Sequence, residues 1–249
     1  MDPAFQKDFL RDFRRGNSGL ALALFGKHPA WNDHMDDFGL ATPTLRTCKR
    51  LLYLQGLAAN AAREQSEAAP VTPYRHSLFW LREREAVLIR LVESEDGRGR
   101  HFFPLVAAAH LELADEDRAL RLLLPALRGF VDAGRLLGSR EAVSDLHQRT
   151  QAQLAAEIRH LPGGEGRPEA PSAEEAAVLK ELAASGHFMI RRVPVSRYDP
   201  VDSIAFLATA WRTLGSDRPL LVACGDSDPA LTLAAGEPEK ADFWFLRRP

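Results

Sequence analysis

Three apolar runs follow one another closely in the middle of the chain, and they constrain the fold more than any other feature. Residues 77–81 (SLFWL) and 86–92 (AVLIRLV) flank a charged bridge at 82–85, which predicts a two-stranded hairpin. The polar turn 93–100 leads into a third run, 102–110. Three strands in short succession predict an antiparallel meander at the heart of a sheet.

Other short apolar runs predict more strands, and segments with helical periodicity lie between them. Predicted strands cover residues 20–25, 186–193, 219–224 and 242–246, and predicted helices cover residues 42–62, 115–160, 172–185 and 199–214. Ser172 and Glu175 have capping-box spacing at the start of one helix. Helices before, between and after the strands favour an α/β fold, a three-layer αβα sandwich with a mixed, largely antiparallel central sheet.

The domain organisation predicted for the 249 residues is one domain with a short extension. Residues 1–18 are predicted to be an N-terminal tail or a short docking helix, because Phe5, Phe9, Leu10 and Phe13 recur at helical steps. Residues 19–249 then form a single α/β domain. Proline, glycine and charge at 161–172 predict an exposed loop within it.

The bulk composition excludes several classes of protein. The 32 basic and 34 acidic residues give a formal net charge of -2, which argues against a general nucleic-acid binder. No run approaches the ~20 apolar residues that span a bilayer, and the start lacks a signal-peptide core, so a cytoplasmic protein without membrane insertion is expected. Cys48 and Cys224 form no metal-ligand pair and are expected to be core residues. No cofactor is indicated, and the oligomeric state is left open.

The first segment that could carry function is 25–40, which follows a predicted strand, as the sites of α/β proteins usually do. Three interpretations remain open for it: recognition of a partner by Trp31 and the charged groups, a structural loop with Trp31 packed as a lid, or a metal site. A divalent metal could bind His28, Asp33, His34 and Asp37, although their spacing matches no metal motif. The candidate side chains are Lys27, His28, Trp31, Asp33, His34, Asp36 and Asp37.

The second segment is 95–105 (EDGRGRHFFPL). Gly97 and Gly99 permit backbone conformations that other residues avoid, and Arg98 and Arg100 are forked donors suited to carboxylate or phosphate. The functional interpretation is a contact with an anion or an acidic partner. The structural interpretation is a tight turn in which Arg100 pairs with an acidic residue of the first segment.

Evidence for catalysis is thin. The residues around Ser227 do not form a nucleophile elbow. A pairing of Cys224 with His187 or His110 would require them to meet in the tertiary structure. The sequence therefore shows no complete catalytic set.

At these two segments the chain resembles the TagF family, accessory proteins of bacterial type VI secretion. The matching motifs are Phe25-Gly26-Lys27-His28-Pro29 with Asp33, then Ser77-Leu78-Phe79-Trp80, Asp96-Gly97-Arg98-Gly99-Arg100-His101-Phe102-Phe103-Pro104-Leu105, and the late Asp242-Phe243-Trp244. Residues 32–37 and the arginine-rich 98–100 depart from the family pattern, which indicates a divergent member. The resemblance implies a three-layer αβα sandwich and a non-enzymatic regulatory or scaffolding role that acts on the secretion machine through partner proteins.

The same resemblance joins the two segments into one unit. We expect the loop 25–34 and the turn 96–105 to meet in space, with Arg98 or Arg100 against Asp33, Asp36 or Asp37. Two other functions stay open: a metal-binding hydrolase that uses the first segment, and an interaction module of a conflict system on the same fold.

Overall fold

The computed structural model describes most of the chain, in nine stretches: residues 19–66, 72–82, 85–112, 116–160, 172–194, 200–226, 228, 230–239 and 242–247. The predicted tail or docking helix at 1–18 lies outside the described residues. Residues 161–171 of the predicted loop also lie outside the described residues.

Seven strands form one sheet in the spatial order β1-β4-β3-β2-β6-β7-β5. The strands are β1 (Leu20–Gly26), β2 (Arg75–Arg82), β3 (Glu85–Val92), β4 (Leu105–Glu112), β5 (Met189–Pro194), β6 (Leu220–Gly225) and β7 (Ala230–Ala235). The predicted meander is confirmed as β2, β3 and β4, which occupy the middle of the sheet together with β6. All six strand pairs are antiparallel, so the expectation of a mixed sheet was wrong. The physical reason is that β5 and β6, which run parallel to each other, are not neighbours, because β7 lies between them and pairs antiparallel with both.

The helices lie between these strands. They are α1 (Pro43–Cys48), a π-helical segment (Lys49–Leu57), α2 (Ala58–Ser66), α3 (Glu116–Gly134), α4 (Arg140–Arg159), α5 (Ala173–Ala184) and α6 (Pro200–Thr213). Thr42 caps α1 by accepting from Leu45 N at 3.2 Å, and the predicted capping box of Ser172 and Glu175 is present. Within the described residues, no helix is long and apolar enough to cross a membrane.

Each face of the sheet carries its own apolar cluster, because successive strand side chains point in opposite directions. Leu20, Leu22 and Leu24 belong to the cluster that includes buried residues of α3, α4, α5 and α6. Ala21, Ala23 and Phe25 belong to the other cluster, which includes residues of α1 and the π-helical segment. Cys48 and Cys224 are buried free thiols, as expected.

The segment Asp242–Leu246 is a 3-10 helix, so its prediction as a strand was wrong. Asp242 holds the turn by accepting from Glu239 N at 2.6 Å. Phe243 and Leu246 are three residues apart and both enter the second apolar cluster, which fits the period of a 3-10 helix. A short apolar run does not by itself distinguish these two conformations.

The outer edge of β1 is closed by hydrogen bonds. Gln151 of α4 donates to Leu20 O at 3.2 Å and accepts from Leu22 N at 2.6 Å. His147 of the same helix bonds Leu22 O at 2.9 Å. Phe38 exchanges two backbone bonds with Leu24. This edge therefore offers no free ladder to another strand.

Candidate functional site

The two candidate segments leave the sheet at the same end. β1 ends opposite the first residue of β4, since Gly26 pairs with Leu105, and β4 begins opposite Val92, the last residue of β3. The loop after β1 and the connection between β3 and β4 therefore start side by side. Their meeting follows from the order of the strands in the sheet.

The loop after β1 folds back along its own strand. Gly26 has a φ of 123°, and a Cβ at this position would lie 2.3 Å from Pro104 O, so only glycine fits here. Lys27 forms an isolated bridge with His34, and Leu24 forms one with Phe38. This return places the carboxylate of Asp33 above the start of the loop, within reach of Lys27.

Asp96 is the centre of the site, and its side chain is fully buried. Its Oδ1 accepts from the backbone N–H groups of Arg98 at 3.0 Å and Arg100 at 3.2 Å, so one oxygen organises the turn. Its Oδ2 accepts from Lys27 Nζ at 2.6 Å. The two motifs are thus joined by an ion pair between two buried side chains.

Arg100 makes a second connection between the motifs. Its Nε donates to Asp96 Oδ2 at 2.8 Å, and its Nη2 donates to Asn32 O at 2.8 Å. Nη2 also lies 3.2 Å from Asp33 Oδ1, which confirms the predicted contact between Arg98 or Arg100 and an acidic residue of the first segment. Asp33 in turn accepts from Lys27 Nζ at 2.8 Å. Two cations and two anions form a closed, charge-balanced cluster.

The cluster keeps both carboxylates ionised. Burial raises the pKa of Asp96, but hydrogen bonds from Lys27 and Arg100 outweigh that effect and hold its pKa well below the usual range. The hydrogen bond and the charge of Lys27 lower the pKa of Asp33 from 3.8 to about 2. Neither carboxylate is therefore suited to take up a proton near neutral pH.

Two residues proposed for recognition are part of the core instead. His28 is buried, accepts from Ala30 N at Nδ1, and bonds Gly134 O through Nε2 at 2.9 Å, which anchors the loop to the end of α3. Burial lowers the pKa of His28. Trp31 is only 3% exposed, which confirms the interpretation of Trp31 as a packed lid and contradicts recognition of a partner by this ring. Its ring packs against His28 and beneath Arg140, because the loop folds back over the α3–α4 junction.

The four residues considered for a metal do not converge. His28 is committed to Gly134, and both oxygens of Asp37 accept from Lys49 Nζ at 2.6 Å. Only Asp33 and His34 are in contact, at 3.2 Å. In the part of the chain that is described, no group of three or more potential ligands could hold a metal ion.

The remaining predicted residues lie at the surface of the unit. His34 is exposed and its ring contacts Phe103 and Tyr53, with centroids 5.2 and 5.7 Å away. Arg98 is exposed at the tip of the turn, and its side chain forms no ion pair within the described residues. Asp36 accepts from Trp31 Nε1 at 3.0 Å. Asn32, Asp33, His34 and Arg98 therefore form the accessible rim of the unit, hereafter the loop–turn rim.

Within the described residues, Cys224 forms no hydrogen bond with a histidine. Its Sγ lies 3.4 Å from Gly225 O, and burial raises its pKa, which disfavours the thiolate. His110 lies on β4 beside Glu85, away from this thiol. Ser227 falls outside the described residues.

Sequence reasoning did not single out Asp96, which organises the whole site. The sequence feature that could have identified it is an aspartate followed directly by glycine, which is typical of an Asx turn. In such a turn the aspartate side chain accepts from backbone N–H groups a few residues later. A second polar group was also missed: Arg90 of β3 binds both oxygens of Asp226 at 2.6 Å. These two residues are 136 positions apart, so no local pattern could have paired them.

The fold and the site define an α/β protein built on a seven-stranded antiparallel sheet, with a charge-balanced cluster at one end. No protein-family model matches the chain, and no curated protein matches it in sequence. Among solved structures, it is similar to the crystal structure of PA0076 from Pseudomonas aeruginosa PAO1, with 16% identity and a TM-score of 0.43 over 90% of this chain and 93% of that chain. This likeness is too distant to carry a function, a partner or a residue role from one protein to the other.

Proposed function

We propose that this chain is a non-enzymatic regulatory or scaffolding protein that acts through protein–protein contacts in a bacterial type VI secretion-like system. In this proposal it is cytoplasmic, its fold is a three-layer αβα sandwich, and the loop–turn rim contacts the partner. The apolar clusters on opposite faces of the sheet support the layering.

The observation that carries the proposal is the ion pair between Lys27 and Asp96. Lys27 belongs to one of the motifs that resemble the TagF family, and Asp96 begins another. A buried ion pair is costly to desolvate and stabilises little by itself, so its value lies in fixing the geometry of the groups around it. Here it fixes the loop–turn rim, which includes the guanidinium of Arg98, a group without an ion pair to any described residue.

The rim suits recognition better than chemistry. Its one imidazole, His34, lies next to Asp33, whose low pKa makes it a poor proton acceptor. Arg98 offers forked donors to a carboxylate or phosphate of a partner. Exposed polar groups on a rigidly supported loop are a frequent form of binding site.

The test is affinity purification of the tagged chain from a bacterium that expresses an intact type VI secretion system, followed by mass spectrometry. Arg98→Glu reverses the charge at the rim, and Arg149→Glu makes the same change on the exposed face of α4 as a matched control. We expect secretion-system components with wild type and with Arg149→Glu, and their loss with Arg98→Glu.

Two outcomes would contradict separate parts of the proposal. Equal recovery of secretion-system components with both variants would show that the loop–turn rim is not the contact surface. Specific recovery of nucleases or ATPases from a conflict system, without secretion components, would overturn the secretion context and support the conflict-system module.

A further inference from the structure

The two edges of the sheet differ in whether their outward backbone groups are hydrogen-bonded. The outer edge of β1 is closed by Gln151, His147 and Phe38, as described above. The opposite edge is β5, which among the described strands pairs with β7 alone. An open strand edge presents a row of unpaired N–H and C=O groups to another chain.

The register identifies which groups of β5 point outward. Gly236 N donates to Pro219 O at 3.0 Å, so these two opposed residues form a hydrogen-bonded pair. From there, non-hydrogen-bonded and hydrogen-bonded pairs alternate along β6 and β7. Leu233 and Leu231 of β7 therefore bond to β5, through Arg191 and Val193. The backbone groups of Ile190 and Arg192 face away from the sheet.

The hydrogen bonds of β5 agree with this assignment. Ile190 O accepts from the side chain of Arg191 at 2.9 Å, which is the only bond that the described residues make to the outward backbone groups. Pro194, which lacks an N–H, occupies the next outward position, where proline is tolerated in an edge strand. In the described part of the chain, the N–H groups of Ile190 and Arg192 have no acceptor and can bind a partner.

The side chain of Arg192 indicates the charge of that partner. It is 53% exposed, and its Nη2 alone binds Asp228, at 2.8 and 2.9 Å. A guanidinium has five N–H donors, and Nε and Nη1 make no hydrogen bond to a described residue, so they can bind a second carboxylate. A second copy of this chain is a poor occupant, because an antiparallel pairing centred on β5 would bring Arg191 or Arg192 opposite an arginine.

We propose that the outer edge of β5 binds an extended segment of another protein as an additional strand, with an acidic side chain opposite Arg192. The main-chain hydrogen bonds would provide affinity and the carboxylate would set the register. This surface is separate from the loop–turn rim, and the inference does not depend on the function proposed for that rim.

The test uses short fluorescent peptides of alternating Glu and Val, or of alternating Lys and Val, with the intact protein. Binding is measured by anisotropy, and backbone amides are followed by hydrogen exchange. We expect the Ile190 and Arg192 amides to exchange rapidly in the free protein and slowly with the Glu-Val peptide. The Arg191 and Val193 amides should be slow in both states, because they bond to β7.

Two variants distinguish the contribution of the Arg192 charge to binding from that of the backbone hydrogen bonds. Arg192→Gln should weaken binding of the Glu-Val peptide about two- to fivefold, which is the value of one cross-strand charge pair. Arg192→Pro removes an outward N–H and should abolish binding, while Arg191 and Val193 stay protected. Slow exchange at Ile190 and Arg192 without peptide, equal binding of the Lys-Val peptide, or dimerisation through β5 would each overturn the proposal.

Discussion

Lys27 Nζ lies 2.6 Å from Asp96 Oδ2, and both side chains are buried although 69 residues separate them. The contact closes the end of the sheet where β1 stops and β4 begins. It also explains why a lysine follows the positive-φ glycine at the end of β1. The ammonium group reaches inward to an aspartate that already receives hydrogen bonds from two backbone N–H groups of its own turn.

Loss of the Lys27 cation should destabilise the fold. Lys27→Met leaves Asp96 buried with one cation fewer, and we expect a decrease of about 3 kcal/mol in the free energy of unfolding. Urea denaturation measures the change. Lys180→Met, at an exposed position of α5, should stay within about 0.5 kcal/mol of wild type. Similar values for the two variants would show that the ion pair does not support the fold.

Glycine at position 26 should be irreplaceable. An alanine Cβ there would lie 2.3 Å from Pro104 O, at a φ of 123°, and we expect Gly26→Ala to cost about 2 kcal/mol or more. Gly129→Ala is the matched control, since a Cβ in the middle of α3 meets nothing within 4 Å. That change should stabilise by about 0.5–1 kcal/mol. Thermal unfolding of both variants measures this, and equal shifts would contradict the geometry.

Asp33 should make stability depend on pH in the acid range. Its pKa is lowered to about 2 from an ordinary value of 3.8, so its contribution is complete above 3.8 and is lost as the pH falls towards 2. We therefore expect wild type to be more stable than Asp33→Asn near neutral pH. The difference should shrink through this window in urea titrations at successive pH values. Asp145→Asn, on the exposed face of α4, is the control and should stay within about 0.5 kcal/mol of wild type.

The closed edge of β1 should open when Gln151 is shortened. Gln151→Ala leaves Leu20 O and Leu22 N without their partners, and an unsatisfied buried backbone group costs about 1–3 kcal/mol. Hydrogen exchange at the Leu22 amide should accelerate in this variant. Gln153→Ala removes an exposed glutamine from the same helix and should leave that amide unchanged. Protection of Leu22 in both variants would show that α4 does not close the edge.

Six of the seven strands were predictable because their signals are local, whereas β7 was not predicted. The charged bridge between β2 and β3 and the glycine at the end of β1 interrupt apolar runs at positions where the structure ends its strands. The capping box of Ser172 and Glu175 was equally informative, since its hydrogen bonds reach only three residues along the chain. The 3-10 helix at Asp242–Leu246 escaped prediction because its five residues carry too little periodicity to separate it from a strand.

The sequence by itself determined six of the seven strands, the α/β class and the turn at Asp96–Arg100, because spacing and backbone preference act between near neighbours. The sequence also indicated that the two polar segments, 25–40 and 95–105, form one candidate site. Only the tertiary structure decided that Trp31 is buried, that Asp37 belongs to Lys49, and that Asp96 is the partner of Lys27. The charge and polarity of a side chain indicate what kind of hydrogen-bond or ion-pair partner it requires. The order of the strands in the sheet decides which distant residue lies close enough to be that partner.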